Sequence, residues 1–229
     1  MKLVIQICAG LEWTSTKKIL NIKDDKLHHQ PFGEYFEYPI GLRECIFYQS
    51  GATKTRASGA CQYAIDTWHP DAVVNLGTCG GVSDNIRKLD IIMATKTVQY
   101  DVIQRFGKPS ARFKEDLKKN LDTLWIDSTN VSEKPYPGTV ASADQDLDYE
   151  NRKKLQKENE NILGADWESA SIAKVCELNK VKCLILRGVT DIPEGRARSK
   201  EDVQDRDYKK NTPIIMKNLL SLISEMGFR

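Results

Sequence analysis

Three carboxylates in this 229-residue sequence stand beside apolar segments and could share one cleft: Glu12, Glu168 and Asp191. Glu12 follows the run LVIQICA at residues 3–9. Glu168 lies in Asp166-Trp-Glu-Ser-Ala170, and Asp191 lies in Arg187-Gly-Val-Thr-Asp-Ile-Pro193. Convergence of the three suits cleavage of a glycosidic bond. That chemistry needs an acid for the leaving group, a base to activate water, and a group to hold the sugar hydroxyls. Crowded carboxylates repel, so one tends to keep its proton near neutral pH and can serve as the acid. Each also has a plainer reading. Glu12 is a first-turn or capping carboxylate, Glu168 a charge at a helix N-terminus, and Asp191 an Asx turn or helix cap before Pro193.

A fourth segment, Asn75-Leu-Gly-Thr-Cys-Gly-Gly81, ends an apolar strand with glycines. Glycines there let backbone approach a ligand, and α/β sheets bind ligands at such strand ends. A tight turn without function reads equally well. The spacing is not G-x-G-x-x-G, which disfavours a dinucleotide-dependent oxidoreductase.

The elements that must position these residues are legible from pattern. Residues 3–9, Cys45–Gln49, Ala72–Leu76, Ile91–Thr95 and Lys182–Leu186 read as buried strands. Lys54–Trp68 and Ser169–Asn179 carry small and apolar residues at helical spacing. Asn-Thr-Pro at 211–213 signals the start of a closing amphipathic helix over Asn211–Gly227. Lys114–Asn120 and Arg152–Asn161 read as charged surface helices. Glu194–Asp207 reads as a charge-dense loop, helical at most at its end. Strands alternating with helices imply an α/β fold: a three-layer sandwich with a central twisted mixed sheet and helices on both faces. No linker or repeat interrupts it, so residues 1–229 are expected to form one domain.

Composition narrows the partners. The chain carries 34 basic and 32 acidic side chains, a net charge of +2. Such balance does not suggest a nucleic-acid groove or a membrane surface. The start, MKLVIQICAGLEW, lacks the long apolar stretch of a signal peptide, and no window of about 18 apolar residues exists. Six cysteines and three histidines show no paired ligand spacing, so neither a zinc site nor another metal or cofactor is expected. Reduced cysteines in apolar runs fit a cytoplasmic protein.

In order and spacing, Asn75–Gly81, Asp166–Ala170 and Arg187–Asp191 resemble signature segments of 5'-methylthioadenosine/S-adenosylhomocysteine nucleosidases, within the purine nucleoside and uridine phosphorylase superfamily. Gln99-Tyr-Asp101, Phe106-Gly107 and Ala141-Ser-Ala-Asp144 match in turn. The resemblance implies hydrolysis of a purine nucleoside, with Asp191 protonating purine N7, Glu12 holding the attacking water and Glu168 binding the ribose hydroxyls. It places Arg187 near the water, Thr78 near the acid and sugar, and Trp167 on the ribose face. Leu147 is implied at the purine edge and Phe106 in the 5' pocket, with Cys79, Gly80, Ser142 and Asp146 completing the substrate-binding set. It also implies a homodimer.

Departures from the resembled pattern are informative. Where the phosphorylases carry phosphate-binding arginines, this chain has Asn75 and, after the first strand, Glu12 and Trp13. A carboxylate there repels phosphate and suits water. Asp146 stands where an aromatic usually stacks on the base, Trp167 replaces a Met, and Lys108 with Arg105 suggests a polar 5' pocket. Gly51-Ala-Thr-Lys54 matches a Gly-rich turn with one Gly missing. The alternatives are a phosphate-dependent phosphorylase drawing on Arg43, Arg56 or Arg87, and a non-catalytic nucleoside-binding protein.

Overall fold

The computed structural model describes residues 1–158, 161–195 and 198–228, without side chains for 198–202. Its elements are β1 (Leu3–Ile7), α1 (Gly10–Ile19), β2 (His28–Gln30), β3 (Gly33–Ile40), β4 (Arg43–Gln49), α2 (Lys54–Trp68), β5 (Ala72–Gly81) and β6 (Ile91–Gln99). There follow α3 (Ala111–Asp116), β7 (Lys118–Asn120), β8 (Ile126–Asp127), β9 (Tyr136–Ser142), α4 (Tyr149–Leu155), β10 (Ile162–Asp166), α5 (Ser169–Asn179), β11 (Lys182–Asp191), α6 (Arg198–Glu225) and β12 (Gly227–Phe228).

The main sheet has ten strands, in the order β10-β9-β6-β11-β5-β1-β4-β3-β2, with β7 on β6. Its centre is parallel: β4, β1, β5 and β11 run together. Strands β6 and β3 enter antiparallel to β11 and β4. A short antiparallel contact of Gly164 and Ala165 with Gly81 and Gly80 joins β10 back to β5. Strands β5, β11, β6, β9 and β10 therefore close on themselves.

Strand β1 shows why a central strand reads as continuously apolar. Leu3, Ile5 and Ile7 pack on one face with Trp13 of α1 and Ile215, Met216 and Leu219 of α6. Val4 points to the other face, with Ala57, Ala60 and Cys61 of α2 and Ile172 and Cys176 of α5. Covered on both sides, such a strand loses the polar–apolar alternation of a half-exposed one. This is the expected α/β sandwich. Helices α2 and α5 match their expected spans.

Several sequence expectations are corrected. Strands β5 and β11 run to Gly81 and Asp191, so the glycine-rich segment is strand rather than turn, and Asp191 is a strand residue. Residue by residue, Gly80 lies opposite Asp191 across the β5–β11 ladder. Lys114–Asn120 divides between the end of α3 and β7. The helix expected from Arg152 begins at Tyr149 and ends at Leu155, and residues 159–160 of that stretch lie outside the described ones. Arg152 itself is buried, donating to Val82 O (3.0 Å) and pairing with Asp84 (2.6 Å), so it is no solvated surface charge.

The closing helix does not start at Asn211. It begins at Arg198 and carries Pro213 inside it. Proline inside a helix removes one N–H donor and crowds the carbonyl four residues back, a cost that packing of the rest of a long helix can offset. Here Ile215, Met216, Leu219 and Ile223 anchor the C-terminal half in the core. Much of Glu194–Asp207 is therefore helix, with residues 196–197 outside the described ones. No helix among the described residues is long and apolar enough to cross a membrane.

Candidate active site

A cavity of about 580 Å³ opens at the carboxyl ends of the parallel strands, the usual ligand position in α/β sheets. Glu12, Glu168 and Asp191 all line it, with Thr78, Cys79, Gly80, Asp146, Leu147 and Trp167. Residues far apart in sequence thus meet in one hollow because β1, β5, β10 and β11 end side by side.

Glu12 is the third residue of α1 and is 4% exposed. Its Oε2 accepts from the Ala9 N–H (3.1 Å), as a first-turn carboxylate does. Its Oε1 reaches out of that turn and accepts from the Thr78 N–H (2.6 Å) and hydroxyl (2.8 Å). The capping and cleft readings of Glu12 therefore both hold. Burial raises its pKa, with Arg187 and the Thr78 donors opposing.

Glu168 is the N-cap residue of α5, yet its side chain makes no cap hydrogen bond. Oε1 accepts instead from the Thr53 N–H at the start of α2 (3.1 Å). Thr53 has φ 84° and ψ 150°, a conformation that favours glycine. It lies within Gly51–Lys54, the segment expected as a Gly-rich turn with one Gly missing. Burial, reinforced by neighbouring Asp166, lifts the Glu168 pKa to about 8.

Asp166 does the capping that Glu168 does not. It accepts from the Ser169 N–H (3.2 Å) and hydroxyl, from the Ser142 hydroxyl (2.6 Å), and from Arg187 Nε (2.5 Å). Arg187 is 1% exposed, and its Nη2 donates to Asn75 Oδ1. Burial works against its charge, but Asp166 and the nearby acids more than offset this and raise its pKa. Arg187 Nη1 has no hydrogen-bond partner among the described residues. A Cβ at Gly77 would fall 2.8 Å from that nitrogen and 3.0 Å from Glu12 Oε1. Glycine leaves room there for Arg187 and Glu12, one of which would have to shift for a larger residue.

Asp191 closes the third side. Oδ1 accepts from the Thr190 hydroxyl (2.6 Å) and Oδ2 from Gln204 Nε2 (3.0 Å). Burial raises its pKa, and the two donors hold the rise in check. An acid that is half-buried, pushed toward its protonated form and open to a cavity can donate a proton.

The structure does not bring every expected residue to the cavity. Arg187 and Ser142 lie behind its wall, supporting Asp166. Phe106 is 88% exposed and off the wall, because residues 101–110 form a loop outside the sheet. Lys108 and Arg105 share that loop, and among the described residues no Lys or Arg lines the cavity. Arg56 donates to Ser50 O and Phe32 O, Arg43 packs over Phe228, and Arg87 follows β5 in an exposed turn with Asp90. Gln204, Asp205 and Tyr208 of α6 line the cavity unforeseen, as does Tyr100. Their signal was the helical spacing of Gln204, Tyr208 and Asn211, hidden in a segment dense with charge.

Comparison with known proteins agrees with this architecture. The family model described as Phosphorylase superfamily matches residues 7–226. The 5'-methylthioadenosine/S-adenosylhomocysteine nucleosidase of Buchnera aphidicola subsp. Schizaphis graminum (strain Sg) is 27% identical over 199 residues, covering 80% of this chain and 82% of its own. That of Haemophilus influenzae (strain PittEE) is 24% identical over 200 residues, covering 83% and 84%. A solved nucleosidase from Neisseria meningitidis in complex with methylthio-immucillin-A superposes with TM-score 0.80 at 18% identity, covering 98% of this chain and 97% of that one. A futalosine hydrolase mutant of Helicobacter pylori superposes at 0.77 and 20% identity, covering 98% and 99%. At such identity these superpositions establish the fold, and the match of the family model across nearly the whole sequence establishes the lineage: the chain belongs to the phosphorylase superfamily.

Proposed function

We propose that this chain hydrolyses the N-glycosidic bond of a purine nucleoside, taking an adenine nucleoside with a 5' substituent such as 5'-methylthioadenosine, and releasing the base and the 5-substituted ribose. The observation that carries the reading is the convergence of Glu12, Glu168 and Asp191 on one cavity, the first two buried and Asp191 half-buried, each held by different donors. The names of the curated relatives point to the same reaction.

Asp191 gives its proton to purine N7 as the C1'–N9 bond breaks. The bonding electron pair leaves with the base, which departs neutral. Positive charge develops on the ribosyl ring and is met by Glu168 in its ionised form, which also takes the 2'- and 3'-hydroxyls. With its pKa lifted to about 8, that form grows as pH rises toward 8. Water adds at C1', and its proton passes to Glu12. Leu147 presents main chain to the base edge, and Trp167 covers the sugar.

Water is favoured over phosphate because Glu12 already occupies the Thr78 N–H and hydroxyl, two donors an anion would need. The donors at the start of α2 are likewise taken, by Glu168 and Asp144. Adenine release from 5'-methylthioadenosine, measured with and without inorganic phosphate, tests this. Equal rates are expected, and a requirement for phosphate would replace the hydrolase reading with the phosphorylase.

The protein also works as a homodimer in this reading. Val102, Ile103 and Phe106 are exposed apolar residues on the loop that follows cavity-lining Tyr100, a surface that a second copy would cover. Six buried free thiols suit the cytoplasm.

A further inference from the structure

Helix α6 touches the acid-bearing end of β11 at two points seven residues apart. Asn211 Nδ2 donates to Thr190 O (2.7 Å), and Gln204 Nε2 donates to Asp191 Oδ2 (3.0 Å). Positions 204, 208 and 211 share one helical face, and Tyr208 between them lines the cavity. The Gln204 amide nitrogen also donates to Leu147 O (3.2 Å), across 57 residues of sequence. One carboxamide therefore bridges the acid and the main chain at the base end of the cavity.

We propose that Gln204 is a positioning residue for Asp191, fixing the orientation of its carboxyl group relative to the Leu147 main chain so that acid and base edge are held as one unit. This rests on the proton-donor reading of Asp191 given above. Among the described residues, Gln204 is the side-chain donor to Oδ2 from α6, and without it the carboxyl keeps the Thr190 hydroxyl. The other charges acting on Asp191 are Asp207 and Lys88, which pair with each other at 2.5 Å. Asp146 and Asp148 from the β9–α4 connection, Asp205 from α6, and Glu12 and Glu168 share its cavity. None of these bridges it to the base wall.

Gln204→Met keeps side-chain length and helix propensity while removing the donor. Adenine release from 5'-methylthioadenosine is followed across pH, where the alkaline limb of kcat/KM reports the free enzyme's essential acid. A donor to a carboxylate favours its ionised form, so losing it should move that limb up by about one pH unit. The plateau should fall about tenfold as the carboxyl loses its fixed orientation. An unmoved limb overturns the assignment, whether the rate falls uniformly or stays the same. So does a lower KM with an unmoved limb, which would make Gln204 a competitor of the base for the same acceptors. The Asp191 carboxyl resonance, assigned with Asp191→Asn, gives a readout without turnover: its titration should move up in Gln204→Met. Absence of base release by the unmodified protein would sink the hydrolase reading alone, and the resonance would then decide whether Gln204 holds Asp191.

Discussion

Beneath the floor of the cavity, Asp166, Arg187 and Asn75 are buried and hold one another through short polar contacts, with buried Glu12 anchored beside them by Thr78. On the outer wall, Gln145, Asp146, Asp148 and Asp205 are exposed. The floor comes from strands locked in the sheet and the first turn of α1, while the wall comes from a connection and the first half of α6. A buried charge must be matched on every side, so each floor residue depends on its neighbours. An exposed one is solvated and can be exchanged. In the hydrolase reading, the bond to be broken is therefore specified more tightly than the rim that meets the rest of the substrate.

That contrast can be broken or sharpened by substitution. The largest effect is expected at the junction of the two regions. Asp191→Asn should lower kcat by roughly 100- to 10,000-fold, with nucleoside binding still measurable by calorimetry. A normal rate would remove Asp191 from its role. Next, Arg187→Met should leave Asp166 as an uncompensated buried charge and cost about 3–5 kcal/mol of stability in urea unfolding. A loss under 1 kcal/mol would show that the floor is not the interdependent network described.

A smaller effect of opposite sign is expected at Thr53→Gly. It should relieve a backbone conformation that suits glycine and raise stability by about 1 kcal/mol, while keeping the N–H that Glu168 accepts. An unchanged urea midpoint would mean that the Thr53 backbone carries no strain. The smallest effect belongs to the wall. Asp146→Asn should change KM for 5'-methylthioadenosine by no more than about threefold, with kcat unaltered, since exposed positions away from buried networks shift energies by only about 0.5 kcal/mol. A tenfold change in steady-state kinetics would erase the distinction between floor and wall.

Much of the floor was readable in the sequence because its residues sit beside apolar strands, where a carboxylate is conspicuous. Strand ends were misjudged at Gly77–Gly81 and at Asp191, since glycine signals a turn by default. Here it instead answers crowding by Arg187, Glu12 and, at Gly80, Leu147. Asp166 escaped notice as a hub because capping, ion pairing and support of Ser142 leave no mark in spacing. Strands β2, β3, β9 and β10 were missed for a related reason. Strand β2 is short and polar, while β3, β9 and β10 carry glycine, proline or acidic residues within the run, and pairing across the sheet holds them rather than local preference. The α6 residues were obscured by Pro213, which reads as a helix start, and by flanking charge that reads as solvent.

Helix α6 also sets when the protein becomes competent. On a ribosome, every strand of the large sheet emerges before it. A nascent polypeptide bearing those strands already owns Glu12, Glu168 and Asp191, but has an open trough where Gln204 and Tyr208 belong. The same helix brings apolar cover for one sheet face through Ile215, Met216, Leu219 and Ile223, so burial of that face and completion of the cavity both wait for α6.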